Sequence, residues 1–517
     1  MAKRFVCSLT EPIVETKAGR IRGFQLDSTY TFYGVRYAVA KRFQPPQPVE
    51  PWDGVKDALS YGYVCPLLKQ EVPSGEEKIP HRYWPMDEDC LNLNIWTQSL
   101  DSKAKKPVLV WLHGGGFVAG SAIEHVAYDG ANMSLYGDCV VVTVNHRLNV
   151  LGYLDLSPFG KKYENSCNAG NADLVAALQW VHDNIENFGG DTENVTIFGQ
   201  SGGGMKVWSL MQTPSADGLF QKGIVQSGVV DHFTDPEGDG REVVTAMMEE
   251  LGVKDVEELE TIPYAQLAAA YLKVSPAIEA KGGYIGGAPK ANDFYVGDPR
   301  VVGFTDHAKT IPVLIGTVLG EFAFGPGVPH KYDMTEEQQM AMVEKKYGKE
   351  GAAKIADLFK KAYPGKCLTD ACVVDTIFRA PTIDFIAKKS VHTEAPTYSY
   401  MFTYEFPLDS GKVAWHCAEI PFAFHNAELV PIYNTPGVTE ILQERIFGAW
   451  MNFARYGNPA NSALPAWPAC EVGKENTMIF DTECEIRVNH DHELVALCQE
   501  LAPASIPGKE DDEPILH

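Results

Sequence analysis

The chain has 517 residues, a length that allows two or three domains or one large α/β domain. Its formal net charge of −24 disfavours contact with phosphate backbones, so we expect no nucleic-acid partner. No apolar run reaches the roughly 18 residues that a membrane-spanning helix needs, so we expect no membrane span.

The first residues, MAKRFVCSLTEPIVETKAGR, contain no long apolar region and no small-residue cleavage site. We therefore expect a cytoplasmic protein, or a secreted one if an export signal has been trimmed from this start. The 11 cysteines include no CxxC pair, which gives little support to a metal site built from thiolates. The sequence does not indicate an oligomeric state.

Apolar runs rich in β-branched residues predict strands along the chain. Six such runs begin at Pro107, Cys139, Asn194, Lys222, Ile311 and Thr397. Helical patterns separate them, in particular over 171–188, 240–300 and 330–390. In the first of these segments, the apolar residues recur every three or four positions: Leu174, Leu178, Val181 and Ile185.

This alternation of strands and helices predicts an α/β fold whose mainly parallel sheet is covered by helices on both faces. No internal repeat or long low-complexity linker interrupts it, so we expect a single domain over 1–517. Its core covers about 10–505, and the acidic residues 506–517 form a frayed tail.

The first candidate motif is WLHGGGFVAGS at residues 111–121, where three glycines follow a predicted strand. Such a run is either a flexible turn or a loop whose backbone N–H groups point at a developing oxyanion. In the second interpretation, Gly115, Gly116 and the more distant Gly202 form an oxyanion hole. Each such donor stabilises the transition state by roughly 3–4 kcal/mol.

The second motif is GQSGG at residues 199–203, which fits G-x-S-x-G. It follows the strand-like run VTIF at 195–198 and precedes the helix-compatible MKVWSLM at 205–211. A serine on a sharp strand-to-helix turn keeps its hydroxyl exposed, and flanking glycines let other backbone approach. A phosphate-binding loop is the alternative, but no Gly-Lys-Ser or Gly-Lys-Thr follows. Together the two motifs predict a hydrolase whose nucleophile is Ser201.

Further segments, with these motifs, make the chain resemble the type-B carboxylesterases, a family that includes the cholinesterases. They are FQPPQPVEPWDG (43–54), EDCLNLN (88–94), NHRLNVLGYL (145–154), ALQWVHDNIENFGGD (177–191) and AWMNFARYGNPA (449–460). The resemblance covers nearly all of the chain. It implies an α/β-hydrolase fold and ester hydrolysis by a Ser-Glu-His triad, with a small-molecule ester as substrate and without a metal or an organic cofactor.

By position in this resemblance, the triad histidine is His416 in VAWHCAEIPFAF (413–424). The triad acid is Glu321 in IGTVLGEFAF (315–324), although the family usually has Asp-Glu-Gly where this chain has Gly-Glu-Phe. Glu419 competes for that role, but only three residues from His416 it is badly placed to reach the far nitrogen of the ring. Ser227 occupies the place of a residue that supports the triad acid.

The chain departs from the family next to the nucleophile, where Gln200 replaces the usual glutamate and Gly202 the usual alanine. Neither change removes a backbone N–H group.

The resemblance also assigns two pairs of residues outside the triad. Cys65 and Cys90 occupy the positions of the family's first disulfide, and both the oxidised and the reduced state stay open. Arg42 and Glu88 occupy the positions of a structural ion pair.

Substrate preference depends on residues that flank the motifs and that either line a pocket or pack in the core. These are Met205, His232, Phe233, Phe322 and Phe324. An aromatic lining favours short- to medium-chain or aryl esters. The alternatives are a lipase, thioesterase or amidase of the same fold. A non-catalytic adhesion or binding protein is disfavoured, because the serine, the histidine and an acid are all present.

Overall fold

The computed structural model describes residues 4–69, 80–231, 238–325, 327–408 and 410–503. It divides the chain into two compact units. The first comprises the described residues of Met1–Val72, Arg82–Gly223 and His232–Ala308, and the second those of Pro73–His81, Ile224–Asp231 and Lys309–His517. The expected tail at 506–517 and the pocket candidates His232 and Phe233 lie outside the described residues, and the single domain stays a prediction.

Among its described residues, the first unit contains ten complete strands and seven complete α-helices, and α8 contains the boundary between Ala308 and Lys309. The strands are β1 Phe5–Val6, β2 Ile13–Thr16, β3 Gly19–Arg22, β4 Phe24–Leu26, β5 Thr29–Arg36, β6 Val55–Asp57, β7 Asn92–Thr97, β8 Lys106–Leu112, β9 Val140–Val144 and β10 Gly190–Gln200. The helices are α1 Gly130–Gly137, α2 Asn149–Tyr153, α3 Ala169–Asn184, α4 Gly202–Met211, α5 Arg241–Leu251, α6 Tyr264–Glu279, α7 Pro299–Val302 and α8 Asp306–Thr310.

The larger sheet of the first unit has the strand order β1-β4-β5-β7-β9-β8-β10. Neighbours run antiparallel as far as β9, whereas β8 is parallel to both β9 and β10. Residues 108–112 and 140–144 are at most 1% exposed, as expected of parallel strands buried on both faces. β2, β3 and β6 form a small separate sheet.

β11 (Lys222–Gln226) contains the chain boundary between the units. Beyond it, the described part of the second unit contains the strands β12 Val313–Val318, β13 Thr397–Phe402, β14 Asn476–Phe480 and β15 Glu485–Val488. Its helices are α9 Glu336–Ala362, α10 Arg379–Lys389, α11 Ile420–Ala423, α12 Thr439–Tyr456 and α13 His492–Leu501. β12, β13 and β14 are parallel, and β15 closes the edge antiparallel to β14.

All six predicted strands and the predicted helical segments are present. The apolar stripe over 171–188 corresponds to α3, followed by a 3₁₀ turn at Ile185–Phe188. Within the described ranges, no helix combines the length and the apolar character needed to cross a membrane. The same ranges contain no group of three or more His, Cys, Asp or Glu side chains arranged to hold a metal ion.

Candidate active site

Ser201 lies between β10, which ends at Gln200, and α4, which begins at Gly202. Its backbone has φ 57° and ψ −126°, a conformation that residues with a Cβ rarely adopt. The turn is held by close backbone packing: a Cβ at Gly203 would lie 1.9 Å from the carbonyl oxygen of Leu112. A Cβ at Gly199 would lie 2.4 Å from the carbonyl carbon of Gly203. The glycines on either side of the serine are therefore required by space.

The glycine run after β8 lies against this turn, within the first unit. A Cβ at Gly114 would lie 3.5 Å from the Cβ of Ser201, and a Cβ at Gly202 would lie 2.4 Å from the backbone nitrogen of Gly116. Gly115 and Gly116 have φ values of 82° and 61°, so the loop uses conformations that favour glycine. The structure thus brings together the predicted nucleophile and the predicted oxyanion-hole glycines.

Glu321 and His416 form a hydrogen-bonded pair within the second unit. The Oε2 atom of Glu321 lies 2.5 Å from Nδ1 of His416, and the backbone N–H of His416 donates to the Glu321 carbonyl oxygen at 2.8 Å. The other carboxylate oxygen accepts the N–H of Val318 at 2.9 Å. These three contacts fix the carboxylate and orient the imidazole.

Burial raises the pKa of Glu321 to about 8. The Ser227 hydroxyl and the Val318 N–H lower this pKa in part, because both favour the charged carboxylate. Ser227 is itself fully buried, and among the described residues its hydroxyl has no partner at full hydrogen-bonding geometry. Ser227 therefore lies near the acid, where the family resemblance predicts a supporting residue.

Glu419, the competing acid, has different partners. Its Oε1 atom accepts hydrogen bonds from Gln226 Nε2 and from the Tyr400 hydroxyl, each at 3.2 Å. Burial and the charge of Glu321 raise the pKa of Glu419 to about 7. The carboxylate that is hydrogen-bonded to the His416 ring is that of Glu321.

Aromatic rings cover the imidazole in the second unit. Phe322 stacks on His416 with ring centroids 5.7 Å apart, and Phe378 stacks on it at 5.0 Å. Phe324 meets Phe322 edge to face at 5.8 Å. Phe378 lies in no motif, so no local pattern predicts its contact with His416. Met205 is 3% exposed in α4 and packs in the core of the first unit.

The ion pair implied by the resemblance is present. Arg42 Nε donates to Glu88 at 2.8 Å, and the same guanidinium donates to the carbonyl oxygens of Leu259 at 2.7 Å and Ile262 at 2.6 Å.

Cys65 and Cys90 are buried free thiols in the structure. Contact with the Cys65 thiol and burial raise the pKa of Cys90.

A serine on a strained strand-to-helix turn after a parallel strand is the arrangement of an α/β-hydrolase. Residues 10–496 match the model of the Carboxylesterase family, and the chain belongs to that family.

Para-nitrobenzyl esterase of Bacillus subtilis (strain 168) is 31% identical over 94% of this chain and 98% of its own length. Phenmedipham hydrolase of Pseudarthrobacter oxydans is 32% identical over 92% and 96%. A solved structure described as "An esterase from anaerobic Clostridium hathewayi can hydrolyze aliphatic aromatic polyesters" is 54% identical, with a TM-score of 0.94 over 97% of this chain and 100% of that one.

These findings confirm the predicted α/β-hydrolase fold with its large, mostly parallel sheet. They also confirm the predicted activity class: the protein is a carboxylic ester hydrolase.

Proposed function

We propose that the protein hydrolyses esters through an acyl-enzyme, with Ser201 as nucleophile, His416 as general base and Glu321 as the acid that orients the imidazole. Ser201 Oγ attacks the ester carbonyl carbon while His416 accepts its proton. The N–H groups of Gly115, Gly116 and Gly202 stabilise the oxyanion. The alcohol leaves with the proton from His416, and a water molecule then repeats the sequence to release the carboxylic acid.

The observation that carries this proposal is the conformation of Ser201. Its strained turn and the glycine loop beside it agree with a hydroxyl that is held ready next to backbone donors. The Glu321–His416 hydrogen bond supports the second half of the proposal, because it leaves Nε2 as the ring nitrogen for proton transfer.

For the substrate, we propose short- to medium-chain or aryl esters. The phenylalanine rings stacked on His416 support an apolar, aromatic surface at the imidazole. The 54% identical esterase of Clostridium hathewayi is described as hydrolysing aliphatic aromatic polyesters, which points in the same direction. A panel of esters with varied acyl and alcohol groups tests this: a preference for long-chain triglycerides, thioesters or amides over phenyl and butyl esters contradicts it.

The nucleophile is tested with Ser201→Ala and p-nitrophenyl butyrate. We expect kcat to fall by about 10⁶, with residual catalysis from the oxyanion hole and substrate binding. A phosphonate probe is expected to label Ser201 in the parent and nothing in the variant. Ser215→Ala, at an exposed serine of the first unit, is the matched control and keeps full activity.

Hydrolysis by Ser201→Ala at the parental rate, or a label on another residue, contradicts the assignment. A further measurement tests whether Ser201 and His416 act as one unit. The double variant Ser201→Ala/His416→Ala is expected to lose no more activity than the more impaired single variant, because triad members are strongly non-additive. If the loss in the double variant equals the product of the two single losses, Ser201 and His416 act separately.

A further inference from the structure

A buried lysine lies on the helix that follows the nucleophile. Lys206 is in α4, five residues after Ser201, and its side chain is fully buried. Its Nζ donates to the carbonyl oxygen of His113 at 2.9 Å and lies 5.7 Å from the ring centroid of Phe117. Buried lysines are rare, and the ester mechanism proposed above does not use this one.

The bond from Lys206 ends at the first peptide of the glycine loop. Three successive carbonyl oxygens there accept hydrogen bonds. The His113 carbonyl oxygen accepts the bond from Lys206. The Gly114 carbonyl oxygen accepts a bond from Nδ1 of the His113 ring at 2.9 Å. The Gly115 carbonyl oxygen accepts bonds from two backbone N–H groups further along the loop. These bonds hold three consecutive peptide groups of the loop, and Lys206 in α4 supplies the first of them.

The second and third of these bonds are made to the peptide groups that carry the proposed oxyanion donors. The Gly114 carbonyl shares a peptide group with the N–H of Gly115, and the Gly115 carbonyl shares one with the N–H of Gly116. A peptide group that accepts a hydrogen bond at oxygen becomes a better donor at nitrogen, by about 10–30% per bond. Lys206 connects this chain of peptides to the helix that begins next to Ser201.

The charge of Lys206 also affects the protonation of nearby histidines. Burial and the Lys206 charge lower the pKa of His113 and of His146, so both imidazoles are neutral at neutral pH. A neutral His113 with its proton on Nδ1 is the form that donates to Gly114. Burial also lowers the pKa of Lys206 to about 7, and the nearby carboxylate of Glu124 raises it in part.

Packing alone does not require an ammonium group at this position. An unbranched apolar side chain avoids the cost of removing a charge from water, although it leaves the buried His113 carbonyl oxygen without this donor. We propose that Lys206 is a positioning residue for ester hydrolysis: its bond to the His113 carbonyl holds the glycine loop so that Gly115 and Gly116 present their N–H groups to the oxyanion. This inference rests on the proposed function.

The test is Lys206→Met, which keeps an unbranched side chain that ends one bond short of the ammonium position and removes the donor. With p-nitrophenyl butyrate, we expect kcat to fall about 10- to 100-fold, less than the loss of a whole oxyanion donor, with KM changed less than about twofold. The affinity of a boronic acid inhibitor, whose adduct with Ser201 is tetrahedral, should fall by the same factor. The melting temperature should stay close to that of the parent, because the relieved cost of burying a charge opposes the loss of the donor to the His113 carbonyl oxygen.

Lys389→Met is the matched control. Lys389 is fully buried in the second unit, and its Nζ donates to the carbonyl oxygen of Lys309 at 3.0 Å, so the control removes the same kind of bond elsewhere. Its kcat should equal that of the parent. If Lys206→Met does not fold, Lys206→Gln replaces it with the same expectation, since its amide ends one bond short of the ammonium position.

A parental kcat in the folded Lys206 variant overturns the inference, and so does a loss that lies entirely in KM or melting temperature. These outcomes are distinct from a failure of the proposed function, which an active Ser201→Ala enzyme reveals independently. An inactive Ser201→Ala enzyme beside a fully active Lys206→Met enzyme rejects only the role of Lys206.

Discussion

The nucleophile region of the first unit and the acid–histidine pair of the second unit are built on different physical principles. Around Ser201, the functional groups are backbone N–H donors. The backbone packs so closely there that several positions have no room for a Cβ and require glycine. Around His416, they are buried ionisable side chains whose protonation is shifted by burial. The first region should therefore be sensitive to a single added methyl group, and the second to a change of charge at constant volume.

Of the substitutions that compare the two regions, the largest effect is expected from changing charge at constant volume in the second region. Glu321→Gln keeps the shape but cannot stabilise an imidazolium, and it favours the wrong tautomer of His416. Above about pH 8, where the parent carboxylate is charged, we expect kcat for p-nitrophenyl butyrate to fall by about 10⁴, as happens when a triad acid becomes an amide. Glu419→Gln serves as the comparison, because Glu419 is bonded to Gln226 and Tyr400. A larger loss in Glu419→Gln than in Glu321→Gln reverses the assignment of the acid.

The raised pKa of Glu321 also predicts how the melting temperatures of the parent and of Glu321→Gln differ with pH. The pKa of Glu321 is raised from 4.5 to about 8 in the folded protein, so between these values the unfolded chain is charged while the folded chain holds a proton. Unfolding then releases a proton, and the stability of the parent falls as pH rises through this window. The melting temperature of Glu321→Gln relative to the parent should therefore increase from about pH 5 to pH 8 and then level off. A difference that is constant with pH contradicts the raised pKa.

The first region is tested by adding one methyl group. In Gly202→Ala, the new Cβ would lie 2.2 Å from the carbonyl oxygen of Gly116 and 2.4 Å from its nitrogen, so the loop backbone has to move. We expect kcat to fall by about 10², comparable to the loss of one oxyanion donor, with a smaller change in KM. The family usually has alanine at this position, so the result shows whether the loop of this chain is adapted to glycine.

Gly448→Ala is the control for that substitution. Gly448 lies in α12, and the nearest atom to an added Cβ is the side-chain amide nitrogen of Asn461 at 3.3 Å, which can move. Its activity should be that of the parent. If Gly202→Ala is equally active, the loop tolerates a methyl group and the close packing around the nucleophile has no catalytic consequence.

The two regions also differ in how far the sequence predicts them. The turn at Ser201 and the glycine loop are local, and steric needs fix their residue types in short motifs. The acid and the imidazole lie 95 residues apart in the chain, and only the family resemblance indicated them. The roles of Phe378 and Lys206 depend on tertiary contacts that no local pattern encodes.

The same distinction applies to the strands. The continuous apolar runs of β8 and β9 predict buried parallel strands, and both are present. The short N-terminal strands β1 to β4 were not predicted, since they are partly exposed and mix polar with apolar residues. Their antiparallel pairing, rather than their composition, stabilises them.

The smallest expected effect tests how the second region tunes its acid. The Ser227 hydroxyl lowers the pKa of Glu321, so Ser227→Ala should raise this pKa further and reduce the fraction of charged carboxylate near neutral pH. We expect kcat/KM at pH 7 to fall about fivefold, which corresponds to the loss of an interaction of about 1 kcal/mol. The rising limb of the pH profile of kcat/KM should move to higher pH. Ser390→Ala is the matched control, because Ser390 is buried like Ser227 and its hydroxyl lacks a partner among the described residues. An unchanged pH profile in Ser227→Ala shows that the serine only fills space behind Glu321, whereas a shifted profile shows that one hydroxyl sets the pH at which the acid begins to support His416.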